Sequence, residues 1–152
     1  MAFLKAEDAI SGKEGKCTAV IDGNVVELIE IMNYTATLNK TKNSFRALGH
    51  RGTQSKAAGW EGTGSFTARY VNSLFIKMLI DYAKTGKDFY FDMIVVNEDP
   101  ASATGKQTIK LGDCNLDGGD IAKLDIEADF LDHQFNFTFS EVDILDEFNK
   151  LV

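Results

Sequence analysis

From Val25 to Asn39 the chain runs fifteen residues in strand-forming sequence. At roughly 3.3 Å per residue, a straight strand of that length reaches about 50 Å. A compact domain of 152 residues has a radius of gyration of only about 15 Å. The strand must therefore bend, end early or project beyond its own core. Side-chain parity leaves the choice open: Val26, Leu28, Tyr34, Ala36 and Leu38 agree, while Ile29 and Ile31 break the pattern. Residues 16–22 (KCTAVID) read as the preceding strand. Asp22-Gly23-Asn24 reads as the hairpin turn between them, because Asp-Gly accepts the positive φ such turns need.

Residues 40–64 hold Gly49, Gly52, Gly59, Gly62 and Gly64 among serines and threonines. That composition predicts a long loop, of the kind that is functional or is ordered by a partner. Strand character returns from Ser65 to Tyr70. A helix is predicted over 72–85. Val71, Leu74, Phe75, Met78, Leu79 and Tyr82 keep the spacing of a buried stripe, Asn72 or Ser73 can cap it, and Gly86 ends it. Residues 88–97 and 106–116 read as strands, with a loop around Pro100 between them and a turn at Asp117-Gly118-Gly119 after them. From Leu124 to Phe130 the alternation is regular: Leu124, Ile126, Ala128 and Phe130 on one face, Asp125, Glu127 and Asp129 on the other. Parity then switches to Phe135, Phe137 and Phe139, which marks a bulge or bend. Residues 141–152 suit a short helix or a docking tail, and residues 1–15 an N-terminal arm. The order predicts one mainly β, α+β domain over 1–152: a sandwich or barrel with one flanking helix.

Composition narrows function by exclusion. With 44% apolar and 26% charged residues the chain is globular rather than disordered. Its longest aliphatic run, Met93 to Val96, is too short to cross a bilayer. Glu7 and Asp8 interrupt any apolar leader, so export by a signal peptide is not expected. A net charge of −7 argues against a protein that wraps duplex nucleic acid. The charge is also split. Residues 1–70 carry nine basic and seven acidic side chains, residues 71–110 five of each, and residues 111–152 two basic and eleven acidic. Between Glu30 and Glu61 there is no acid, but there are Lys40, Lys42, Arg46, Arg51 and Lys56. A basic middle and an acidic end are either ordinary surface charge or two surfaces that meet when copies associate.

Catalytic and metal motifs fail on inspection. Asp113-Cys-Asn115-Leu-Asp117-Gly118 matches the first half of a calcium loop, but Leu124 stands where a bidentate Glu belongs. Thr104-Gly105-Lys106-Gln107 lacks the first glycine and the hydroxyl of a phosphate loop. Cys17 and Cys114 have no metal or redox spacing, and His50 and His133 have no local ligand pattern. No cofactor, metal or enzymatic activity is expected. Trp60 reads equally as an interface anchor or a core aromatic. The row Asp125, Glu127, Asp129 is either a solvated face or the lining of a water-filled lumen, where carboxylates would repel DNA phosphates.

An ordered set of segments carries a family likeness: Ile10-Ser-Gly-Lys-Glu-Gly15, Gly59-Trp-Glu-Gly62-Thr63-Gly64, the strand and helix from Phe66 to Tyr82, Gly86, and Phe137-Thr138-Phe139 before an acidic end. The chain resembles the tail tube proteins of contractile phage tails, of the type found in PBSX-like defective prophages and phage-tail-like bacteriocins. The resemblance implies a β-sandwich or barrel related to type VI secretion tube proteins, in hexameric rings that stack into a conduit for DNA or ions. It implies self-association and contacts with tail sheath, baseplate or tube initiator, tape measure and tail terminator proteins. DNA would pass without specific binding, and no membrane would be involved. The product would be made in the bacterial cytoplasm and reside in a virion tail or tail-like particle. On this reading Lys42, Arg46, Arg51, Lys56 and Trp60 face the next ring, and Asp125, Glu127 and Asp129 face the lumen. The rival reading is a small β-barrel that binds a ligand or single-stranded nucleic acid.

Overall fold

The computed structural model describes residues 5–150. After a 3-10 turn at Ala6–Asp8 come β1 (Gly15–Ile21), β2 (Asn24–Glu27), β3 (Ile31–Phe45), β4 (Gln54–Arg69), α1 (Leu74–Thr85), β5 (Phe91–Glu98), β6 (Lys106–Gly119), β7 (Asp132–Phe139) and β8 (Glu141–Asp146). Neighbouring strands run β2-β1-β5-β6-β7-β4-β3, with β8 also on β6, and every pairing is antiparallel. Strand β6 belongs to two sheets. Its first part pairs with β5 and β8, and residues 115–119 pair with β7. Asp113, at φ +53°, sits where β6 passes from one sheet to the other. The chain is thus mostly β with one helix, as predicted.

Both sheets bury side chains in one core. The first contributes Cys17, Ala19, Phe91, Met93, Leu111 and Cys114; the second contributes Phe66, Ala68, Phe135, Phe137 and Phe139. Helix α1 adds Phe75 and Met78, and the Phe75 ring lies 5.0 Å from Phe66 and 5.6 Å from Phe135. Its ends follow the sequence signals. The Leu74 N–H donates to Asn72 Oδ1 at 2.9 Å, and Gly86 closes the helix at φ +74°. The buried stripe is narrower than its spacing suggested, since Val71 and Tyr82 are exposed.

Five segments differ from their sequence reading. The run from Val25 to Asn39 is not one strand: it breaks at residues 28–30, with β2 pairing with β1 in the first sheet and β3 with β4 in the second. Residues 40–64 are not a loop: 40–45 belong to β3 and 54–64 to β4, leaving 46–53 as the connection. Two of the glycines that suggested a loop are strand residues that make room for rings. A Cβ at Gly62 would lie 2.4 Å from the Phe139 ring, and one at Gly64 would lie 2.4 Å from the Phe137 ring. Residues 117–119 are not a turn but the end of β6, where a Cβ on Gly119 would lie 2.1 Å from the Phe135 ring. Residues 120–131 are irregular, so the alternation from Leu124 to Phe130 does not form a strand. Residues 141–146 form β8 rather than a helix. The arm over 1–15 is fixed where it is described: Ser102 Oγ donates to the Asp8 carbonyl (2.9 Å), and the Ser11 N–H donates to Asp99 Oδ2 (2.9 Å). The expectation for residues 1–4, 151 and 152 lies outside the described residues.

Candidate assembly interface

Strand β7 covers β4 only along Gly62–Arg69. Beyond that, Asn39–Phe45 and Gln54–Glu61 pair with each other alone, and every residue in both stretches is exposed. The far ends of β3 and β4 therefore project as a two-stranded ribbon, for about 25 Å at 3.3 Å per residue. Trp60 stands where the ribbon leaves the core. It is 42% exposed, and its ring centroid is 6.1 Å from that of Phe139. The core reading of Trp60 holds only in part, since the ring sits beside Phe139 yet stays partly open to solvent. A bulge between Thr41 and Lys42 twists the ribbon just beyond it.

The cations gather toward the far end. Lys42 pairs with Ala57 and Lys56 with Asn43, so these two lysines sit on adjacent rungs and opposite faces. Arg46 and Arg51 lie in the connection, where Gly49 takes φ +80° and His50 Nδ1 donates to the Gly52 carbonyl at 3.0 Å. The ion pairs among the described residues are Lys106–Asp146, Lys110–Asp92 and Lys123–Asp132; none involves the ribbon. Leu48, at the tip, is completely exposed. Sequence reasoning passes over it because one apolar residue in a polar connection has no periodicity.

Asp125, Glu127 and Asp129 do not share a strand face. They lie in the exposed 120–131 loop, between β6 and β7, beside Leu124 (97% exposed), Ile126 (101%) and Phe130 (76%). The structure brings these acids near one another but not near the basic ribbon. The polar side of the second sheet is elsewhere. Asn33, Thr35, Thr37 and Asn39 of β3 share a face with Thr67, Ser65, Thr63 and Glu61 of β4, and with Gln134, Asn136 and Thr138 of β7. A shallow groove across it is lined by Thr35, Thr37, Thr63, Ser65, Asp117 and Asn136.

Titratable groups inside the fold are structural. Burial pushes the thiols of Cys17 and Cys114 up to about 12, so both stay protonated and unreactive. Tyr34 is shifted upward by burial too, and its hydroxyl meets Met93 Sδ at 3.4 Å. Burial lowers the pKa of His133, which lies edge-on to Tyr70 and Phe135 with Nδ1 unpartnered. Among the described residues no three His, Cys, Asp or Glu side chains converge as metal ligands. No described helix is long and apolar enough to cross a membrane.

A projecting two-stranded ribbon without a core of its own is marginally stable in water. Residues 2–146 match the family model described as phage tail tube protein. The chain belongs to the phage tail tube family. This tail tube protein is 37% identical over 141 residues to the phage-like element PBSX protein XkdM of Bacillus subtilis strain 168, covering 93% of each chain. Its fold is similar to a chain of the PVC sheath–tube complex, an extracellular contractile injection system in its extended state. That match has a TM-score of 0.66 at 10% identity, over 91% of this chain and 93% of that one. It is also similar to the SPP1 tail tube, with a TM-score of 0.65 at 11% identity, over 93% of this chain and 81% of that one. The tail tube protein therefore has a structural role in a tail tube, and its relatives are parts of phage tails and tail-like particles.

Proposed function

We propose that copies of this chain close into hexameric rings, that the rings stack, and that the ribbon carries the contact from one ring to the next. The observation that carries this is the ribbon itself. A two-stranded hairpin in water is marginal alone, and this one displays Lys42, Arg46, Arg51, Lys56 and half of Trp60 with no partner inside the described protomer. Strands β2, β3 and β8 leave open sheet edges, a hazard in a monomer and a joint in a ring. The lumen wall in this reading is the Thr/Asn/Ser face of β3, β4 and β7. It carries no lysine or arginine from Asn33 to Asn39 or from Glu61 to Thr67, so DNA phosphates would find no cation to hold them. Asp125, Glu127 and Asp129, being in a loop, are not needed for that wall. Tail sheath, baseplate or initiator, tape measure and terminator proteins are the contacts that follow.

Negative-stain microscopy and sizing across concentration test the reading. Rings or tubes are the expected result; a strict monomer at high concentration would overturn it and favour a ligand-binding barrel. Arg46→Glu with Lys56→Glu should lower the yield of tubes relative to the wild type.

A further inference from the structure

The ribbon tip and the 120–131 loop are opposite in charge and both expose apolar side chains, yet they stand at opposite ends of one molecule. The tip offers Leu48 between Arg46 and Arg51. The loop offers Leu124, Ile126 and Phe130 interleaved with Asp125, Glu127 and Asp129. Arg69 pairs with Asp132, and the Arg69 guanidinium lies 5.6 Å from the Phe130 ring centroid, so the loop sits at the base of β4. The tip lies beyond the other end of that strand, Gln54. A strand of this length spans about 50 Å, too far for the two surfaces to meet within one copy.

Resting on the stacked-ring reading above, we propose that the 120–131 loop is the receptor for the ribbon tip of a second copy. Leu48 inserts among Leu124, Ile126 and Phe130, and Arg46 and Arg51 face Asp125, Glu127 and Asp129. Three large apolar side chains exposed within seven residues of one loop are a surface that a partner can cover. The occupant is another copy because the oppositely charged surface, with a fully exposed leucine between its two arginines, is on this same chain. Such a contact is head-to-tail. It joins unlike surfaces, so it repeats along an axis instead of closing on itself, which is the geometry of a stacked tube. The loop's own Lys123 does not compete for these acids, since it is engaged with Asp132 at 3.4 Å.

The test is a disulfide between copies. Leu48→Cys and Leu124→Cys protomers are mixed, assembled and mildly oxidised. The native Cys17 and Cys114 are buried and remain silent. A disulfide-linked dimer that needs both variants, together with a covalent ladder from the double variant, is the expected result. Tubes that form without that cross-link, or a cross-link from Leu48→Cys alone, overturn the docking but leave the tube reading intact. If wild-type protein forms no ring or tube, both fail. Should the cysteine variants not assemble, charge exchange decides. Arg46→Glu with Arg51→Glu should raise the concentration needed for assembly about tenfold, and adding Asp125→Lys with Asp129→Lys should restore it. A combined variant no better than either half overturns the proposal.

Discussion

A methyl group added at Gly64 would sit 2.4 Å from Phe137 Cζ and 2.8 Å from the Thr35 carbonyl oxygen, and the second of these is backbone that cannot swing away. Gly64→Ala should therefore cost about 1–3 kcal/mol, as overpacked cores do, with a lower melting temperature and no change in secondary structure. Calorimetry on the unassembled protomer checks this. His133 makes a second residue-scale prediction. Burial lowers its pKa below 6.5, so the unfolded chain binds the proton more readily. Stability is then fully present above pH 6.5 and declines as pH falls below it. His133→Gln should remove that decline. Asp99 acts lower on the scale: the N–H groups of Ser11 and Ala101 hold its carboxyl below 3.8, so its contribution is lost only as pH drops under that value. Melting curves across pH separate the two.

At the scale of elements, the ribbon and the core should behave as different materials. The core face of β7 was legible from its period of two, because Phe135, Phe137 and Phe139 face inward whatever pairs beside them. The long β4 was not legible, because Gly62 and Gly64, which suggested a loop, make room for rings from β7 more than seventy residues later in the chain. Loop 120–131 failed the other way. Its alternation is as regular as that of β7, yet no neighbouring strand pairs with it, and without a ladder the apolar row stays in water. Trypsin on the free protomer should cut at Arg46, Arg51 or Lys56 and leave the core intact, since those residues are exposed and contribute no core burial. In assembled material the same sites should be protected. Mass spectrometry of timed digests reads both outcomes.

At the scale of the whole molecule, the total charge of −7 describes the chain less well than its division between a basic ribbon and an acidic final third. Contacts between such surfaces weaken as the screening length shortens, from about 10 Å at 0.1 M salt to about 3 Å at 1 M. Preformed tubes should therefore shorten or dissolve as salt rises, and light scattering follows the change. Arg46→Gln with Arg51→Gln should remove most of that salt dependence, because it removes the attraction that salt screens. A salt response unchanged in the variant would assign tube cohesion to apolar burial instead.

Sequence alone determined what depends on near neighbours: the Asp22-Gly23 hairpin, the helix with Asn72 and Gly86 at its ends, the phenylalanine row, and the separation of charge along the chain. Family likeness was also legible there, since it rests on the order of segments. Tertiary structure decided what depends on distant partners. It settled that the run from Val25 ends at Glu27 and resumes as β3 in the other sheet, that β3 projects past Asn39, and that Gly62, Gly64 and Gly119 lie beneath rings. It also settled that the acidic row belongs to a loop. The physical reason is that strand pairing and ring packing are made between residues far apart in the chain, while the patterns a sequence displays are local.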